Sequence, residues 1–197
     1  MRDDFGILIM SYGRPDNVKT LASLMKSNYT GKWCIVVGDD DPTASQYKEK
    51  FGDKCFIFKK GDYIAKSDRM GLKITKVIMF ARNACFDIAE SLGWKYFQQF
   101  DDDYTGFYFA FDGDIVYVNT NAVNRIKSYD AVAENMLKFY ETTPKNCLAV
   151  TFAQCGDFIG GPAKANPDCR WNFGCLRKAM NSWLCSTDRR FPFVGCM

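Results

Sequence analysis

Three short apolar runs, each stopping abruptly at a polar turn, constrain this chain more than any other feature. Phe5 to Met10 runs into Ser11-Tyr12-Gly13-Arg14-Pro15-Asp16, Trp33 to Val37 into Gly38-Asp39-Asp40-Asp41-Pro42, and Tyr96 to Phe100 into Asp101-Asp102-Asp103. Runs of this length bounded by turn residues read as buried strands, and continuous apolar strands are the habit of parallel sheets. Val18, Leu21, Ala22, Leu24 and Met25 fall at helical spacing, which predicts a helix over Asn17 to Lys26 with those residues as its apolar face. A second helix is expected after Pro42, through Tyr47 and Phe51, with Asp41 as its cap. Cys55 to Phe58 makes a third strand, so the chain opens as repeated strand-helix units.

Ile74 to Leu92 carries Val77, Ile78, Phe80, Ala81, Ala84, Cys85, Ile88, Ala89 and Leu92, a strong amphipathic helix closed by Gly93. Arg82-Asn83 interrupt its apolar trend, so they either bond to the neighbouring acidic turn or face solvent. After the acidic turn the alternation changes. Phe107 to Phe111 and Ile115 to Val118, joined across Asp112-Gly113-Asp114, read as a hairpin. Asp130 to Tyr140 is a helix with Val132, Met136, Leu137 and Tyr140 as its face, and Cys147 to Phe152 is a further strand. Residues 175 to 185 fit helix or strand, since Leu176, Met180 and Leu184 make a helical stripe. The fold class expected is α/β, a mixed sheet mostly parallel on its N-terminal side with an antiparallel excursion after Asp103.

With 197 residues and 47% hydrophobic content, one sizeable core and a single domain, 1-197, are expected. A net charge of +3 permits a polyanionic partner without requiring one. The nine cysteines contain no Cys-x-x-Cys pair and there is no histidine, which argues against a structural zinc site and makes the cysteines reduced core residues of a cytoplasmic protein. No apolar run is long enough for a signal-peptide core or a membrane span, so no membrane partner is expected. The apolar end, Phe191-Pro192-Phe193-Val194-Gly195-Cys196-Met197, has no polar tail, and a natural protein truncated at this point is the expectation. Without histidine, proton transfer falls to Asp, Glu, Lys, Tyr or Cys.

In extended backbone Asp101 and Asp103 project to one side and Asp102 to the other. Paired carboxylates suit Mg²⁺ or Mn²⁺, which take one or two protein carboxylates and leave other positions to water and phosphates; a solvated acidic turn is the alternative. Ser11, Tyr12 and Arg14 follow the first strand where open α/β sheets bind nucleotides, although Arg14 also fits a surface charge. Asp39 and Asp40 suit a ribose hydroxyl or a base N–H. Lys59, Lys60, Lys66, Arg69 and Lys73 form a basic loop fit for a diphosphate, a nucleic-acid backbone or solvent. Trp171 and Phe173 suit stacking on a sugar or base, or plugging the core under a long loop.

In this order, the Ser-Tyr-Gly-Arg-Pro loop, the strand ending in Asp39-Asp40, Ala81-Arg82-Asn83 and Phe100-Asp101-Asp102-Asp103 resemble a nucleotide-sugar-dependent glycosyltransferase of the GT-A, Rossmann-like fold. More narrowly, Ser11 to Pro15, Phe100 to Tyr104 and Asn172-Phe173-Gly174-Cys175-Leu176-Arg177-Lys178 are similar to the phage-type TET/JBP-associated glycosyltransferases, thought to place sugars on hydroxymethylated pyrimidines in DNA. The resemblance implies a nucleoside-diphosphate sugar donor, a UDP-sugar first among them, and a divalent cation on Asp103 with Asp101 sharing metal or ribose contacts. It implies Ser11, Tyr12, Arg14, Asp39, Asp40, Arg82, Asn83 and Asp101 around the donor, and host cytoplasm as the location if phage-encoded. Asp157 and Asp188 are the candidate bases for the acceptor hydroxyl. The family pattern also leads us to expect an acidic segment after Phe193-Val194-Gly195, where this chain stops. A nucleotidyltransferase and a non-enzymatic nucleic-acid-binding module are the competing readings. The first lacks a Gly-rich loop after strand one, and the second leaves Asp101 and Asp103 unexplained.

Overall fold

The computed structural model describes residues 1–63, 78–109, 125–143, 147–151 and 182–190. Its centre is a six-stranded sheet of β1 (Phe5–Met10), β2 (Lys32–Gly38), β3 (Cys55–Phe58), β4 (Tyr96–Asp101), β5 (Ala149–Val150) and β6 (Ser182–Ser186). The spatial order is β3-β2-β1-β4-β6-β5. The first four strands are parallel, and β6 lies antiparallel between β4 and β5. This is the mixed, GT-A-like arrangement expected from the sequence.

All six residues of β1 are buried, which is why its sequence is apolar throughout rather than alternating. Phe5, Ile7 and Ile9 face one core with Ile35, Val37, Tyr96 and Phe100. Leu8 and Met10 face the other with Cys34, Val36 and Phe97. The first core is covered by α1 (Lys19–Lys26), α2 (Ala44–Phe51) and α4 (Tyr129–Thr142), which contribute Leu24, Tyr47, Ala133, Leu137 and Tyr140. The second is covered by α3 (Met79–Ser91), through Phe80, Ala84, Cys85, Phe86 and Ile88. Fully burying one such side chain is worth about 1.5–3 kcal/mol.

The expected Gly93 cap is present. Gly93 has φ +69°, its N–H donates to Glu90 O at 3.0 Å and Trp94 N–H donates to Ala89 O at 2.9 Å, the paired bonds of a Schellman ending. This turn swings Trp94 over β1, where only a glycine at position 6 leaves room: a Cβ there would lie 2.2 Å from the Trp94 ring.

Several expectations are corrected. The buried positions of α1 are Thr20, Ser23 and Leu24, and Leu21 packs partly buried against the first core, while Ala22 and Met25 are exposed, so the helix turns two hydroxyls inward beside Leu21 and Leu24. Asp41 does not occupy the cap position of α2; Thr43 does. Asp41 is buried instead, its Oδ1 accepting from Thr43 N–H at 2.8 Å and its Oδ2 from Gly13 N–H at 2.7 Å. The end of the ambiguous 175–185 stretch, from Ser182 to Cys185, together with Ser186 beyond it, forms strand β6. Of the strand expected over 147–152, the described residues 147–151 contain the strand Ala149–Val150, and Phe152 lies outside the described residues. Of the expected hairpin, Tyr108 makes an isolated antiparallel bridge to Arg125; residues 110–118 lie outside the described residues. Cys34, Cys55, Cys85, Cys147 and Cys185 are buried free thiols. Among the described residues no helix is long and apolar enough to cross a membrane.

Candidate active site

The chain runs outward from β1 to β2 and β3, then returns to place β4 on the other side of β1. The carboxyl ends of β1 and β4 therefore flank a topological switch point, where loops diverge to opposite faces and leave a crevice. A cavity of about 470 Å³ occupies it, lined by Ser11, Tyr12, Arg14, Asp40, Asp101, Asp102 and Asp103 together with Lys60, Phe58 and Phe80. A larger hollow of about 640 Å³ lies between α4 and Phe109. It is mostly apolar and has no carboxylate among its lining residues, so the chemistry belongs to the smaller one.

The loop after β1 is stitched to three elements. Ser11 Oγ donates to Asp102 Oδ2 at 2.5 Å and lies 2.6 Å from Tyr47 Oη. Since the Ser11 proton is spent on Asp102, Tyr47 is the donor of that pair, and it accepts from Arg14 N–H at 2.7 Å. The Arg14 guanidinium donates to Asp102 Oδ1 at 2.6 Å. Asp102, 2% exposed, thus spends both oxygens on this loop. Tyr12 stands at the rim, 55% exposed, its hydroxyl donating to Asp40 O at 3.3 Å.

Asp101 points to the opposite face of β4 from Phe100, towards α3. Arg82 Nη2 donates to Asp101 Oδ1 at 3.0 Å and Gln99 Nε2 donates to Arg82 O at 3.0 Å. Burial pushes the Asp101 carboxyl up to about 6; the Arg82 cation pulls it down, and the Asp103 and Asp102 carboxylates push it further up. Asp103 is exposed. The 101–104 backbone is fastened by α1: Thr20 Oγ1 donates to Asp101 O at 2.5 Å and accepts from Tyr104 N–H at 2.9 Å. Lys60 Nζ donates to Asp40 Oδ2 at 2.5 Å.

A family model described as TET-Associated Glycosyltransferase matches residues 5–197. The chain belongs to that family. No curated protein matches it significantly.

In this glycosyltransferase, Ser11, Tyr12, Arg14, Asp40, Asp101 and Asp103 are brought together on one cavity. Arg82 and Asn83 are buried but do not line it; Arg82 reaches Asp101 from behind. Asp39 does not line it either, and its Oδ1 accepts from Lys60 N–H at 3.0 Å, holding the loop after β3. Asp188 is not brought to the site. It follows β6, which runs antiparallel to β4 with Ser186 opposite Tyr96, so it sits by Lys95 at the far end of the sheet from Asp101. A six-residue strand separates the two, on the order of 17 Å. Asp157 lies outside the described residues, as do Lys66, Arg69, Lys73, Trp171 and Phe173. Sequence reasoning missed Thr20, Ser23, Tyr47 and Gln99. The signal was a hydroxyl stripe at helical spacing in α1 and a glutamine pair inside an otherwise aromatic strand.

Proposed function

We propose that this glycosyltransferase is metal-dependent, takes its sugar from a nucleoside-diphosphate sugar, a UDP-sugar first among them, and works in the cytoplasm on a hydroxymethylated pyrimidine in DNA. The observation that carries the donor reading is the pairing of charges in the cavity. Asp102 engages Arg14, Asp40 engages Lys60 and Asp101 engages Arg82, while Asp103 has no ion-pair partner among the described residues. One site carboxylate is left open to a cation. Among the described residues no group of three or more metal-ligating side chains occurs, but Mg²⁺ or Mn²⁺ held jointly with phosphates needs only one or two carboxylates. Asp103, with Asp101 beside it, meets that need, and a cation relieves the like-charge load on Asp101. When bound, the metal supplies positive charge against the departing diphosphate.

The rest falls to the protein's own side chains. Arg14 and Lys60 line the cavity and give charge-assisted donors for the diphosphate oxygens. Asp40, at the end of β2, suits a ribose hydroxyl or a base N–H, and the exposed Tyr12 ring suits the base or sugar face. In the transfer the acceptor oxygen bonds to the anomeric carbon, the bond from that carbon to the diphosphate breaks, the diphosphate keeps the electron pair and the acceptor proton passes to a base. Of the two bases nominated from sequence, Asp157 is the one we retain. The DNA acceptor rests on the family resemblance alone.

The test incubates the protein with UDP-sugars, Mn²⁺ and an oligonucleotide carrying a hydroxymethylated pyrimidine. A mass gain of one sugar, abolished by EDTA and by Asp103→Asn, is expected. A gain that survives EDTA would sink metal dependence; UDP release without modified DNA, stimulated by another hydroxyl compound, would sink the DNA acceptor.

A further inference from the structure

β4 ends at Asp101, so sheet pairing does not hold the turn that presents Asp103. Beyond the pairing of Asp101 with Met10, one helix supplies the bonds to its backbone among the described residues. Thr20 N–H donates to Asp102 O at 3.1 Å, Thr20 Oγ1 bridges Asp101 O and Tyr104 N–H at 2.5 and 2.9 Å, and Ser23 Oγ donates to Tyr104 O at 2.8 Å. Four bonds from two residues therefore cover the turn from its first residue to its last. Thr20 and Ser23 are 0% and 3% exposed. Hydroxyls on the buried face of a helix forgo apolar packing and are tolerated only where they find partners; here every partner is the backbone of one turn. The same helix follows directly from the loop carrying Ser11 and Arg14, which in turn grips the Asp102 side chain. The donor loop and the aspartate turn are thereby built as one unit.

We propose that Thr20, assisted by Ser23, is a positioning residue of the transfer reaction: its hydroxyl fixes the backbone that sets Asp103 beside Asp101, and so sets the affinity for the divalent cation. This rests on the metal reading given above. Residues that orient metal ligands change affinity about 10- to 100-fold when removed, an effect that the near-isosteric Thr20→Val isolates, since it deletes the donor and acceptor while keeping the volume.

The experiment is a Mn²⁺ titration in the presence of UDP, followed by the electron paramagnetic resonance of free Mn²⁺, on the wild type, Thr20→Val, Thr20→Ser, Ser23→Ala and Asp103→Asn. Thr20→Val is expected to weaken Mn²⁺ binding about tenfold or more, with Thr20→Ser restoring it to near the wild-type value, a rescue that lost packing does not give. Ser23→Ala, which keeps the Thr20 bridge, is expected to weaken binding less and carries the test if Thr20→Val does not fold. Wild-type affinity in both Thr20→Val and Ser23→Ala, with binding lost in Asp103→Asn, would overturn this inference and leave the metal site standing. Undiminished binding in Asp103→Asn would overturn the metal site and this inference with it.

Discussion

Tyr47 carries more of the site than its place in a helix packed on the core suggests. It is fully buried in α2, yet its hydroxyl donates to Ser11 and receives the Arg14 N–H. Tyr47→Phe removes both bonds at almost constant volume, and losing buried hydrogen bonds of this kind costs about 1–3 kcal/mol. Urea denaturation should show that loss, and binding of UDP with Mn²⁺ should weaken as the loop loosens; unchanged stability would mean that water replaces the hydroxyl. Asp188 supplies the opposite expectation. Lying by Lys95 at the amino end of β4, it is too far from Asp101 to take an acceptor proton, so Asp188→Asn should transfer sugar at the wild-type rate in the oligonucleotide assay. A large drop in rate would reinstate it as the base. Its misassignment has a plain cause: the sequence places it after irregular loops, but only the antiparallel direction of β6 decides which end of the sheet it reaches.

Elements buried on two faces were the most legible. β1 matches its apolar run residue for residue because each of its side chains is buried, and β3 matches its run as well, although it is an edge strand with Ile57 exposed. The Gly93 ending was legible for a similar reason, since few residues accept its backbone. α1 was placed within two residues of its observed start, and Val18, Leu21 and Leu24 pack on the core as expected, but Ala22 and Met25 are exposed and hydrophobic periodicity could not register the buried hydroxyls of Thr20 and Ser23. β6 was obscured by its length of five residues and by Leu184, which continues a helical stripe; pairing with β4 and β5, not local pattern, makes it a strand. The packing of Trp94 on β1 gives a prediction at this scale. Gly6→Ala drives a methyl group into the Trp94 ring, and overpacking of this kind costs about 1–3 kcal/mol. The midpoint of chemical unfolding should fall accordingly, and a coupled Trp94→Phe should recover part of it.

Across the whole molecule, the order β3-β2-β1-β4-β6-β5 brings the ends of β1, β2 and β4 to one crevice, and three of its four carboxylates are already matched by Arg14, Lys60 and Arg82. The site's membership was therefore largely readable from where apolar runs meet acidic turns. Its internal pairing was legible only in part: the sequence left Arg82 between the acidic turn and solvent, and the packing of α3 puts it on Asp101, whereas the pairing of Asp102 with Arg14 had no local signal. We propose that Asp103 and its neighbours bind a divalent cation together with a nucleoside diphosphate. The most direct measurement is thermal unfolding with Mn²⁺, with UDP and with both, on the wild type and on Asp103→Ala. A ligand at 100 times its Kd adds about 2.7 kcal/mol, which for a chain of this size raises Tm on the order of 5–10 °C. The expected result is a rise of that order in the wild type only when both are present, reversed by EDTA and missing in Asp103→Ala. No rise in the wild type, or an equal rise in Asp103→Ala, would contradict it.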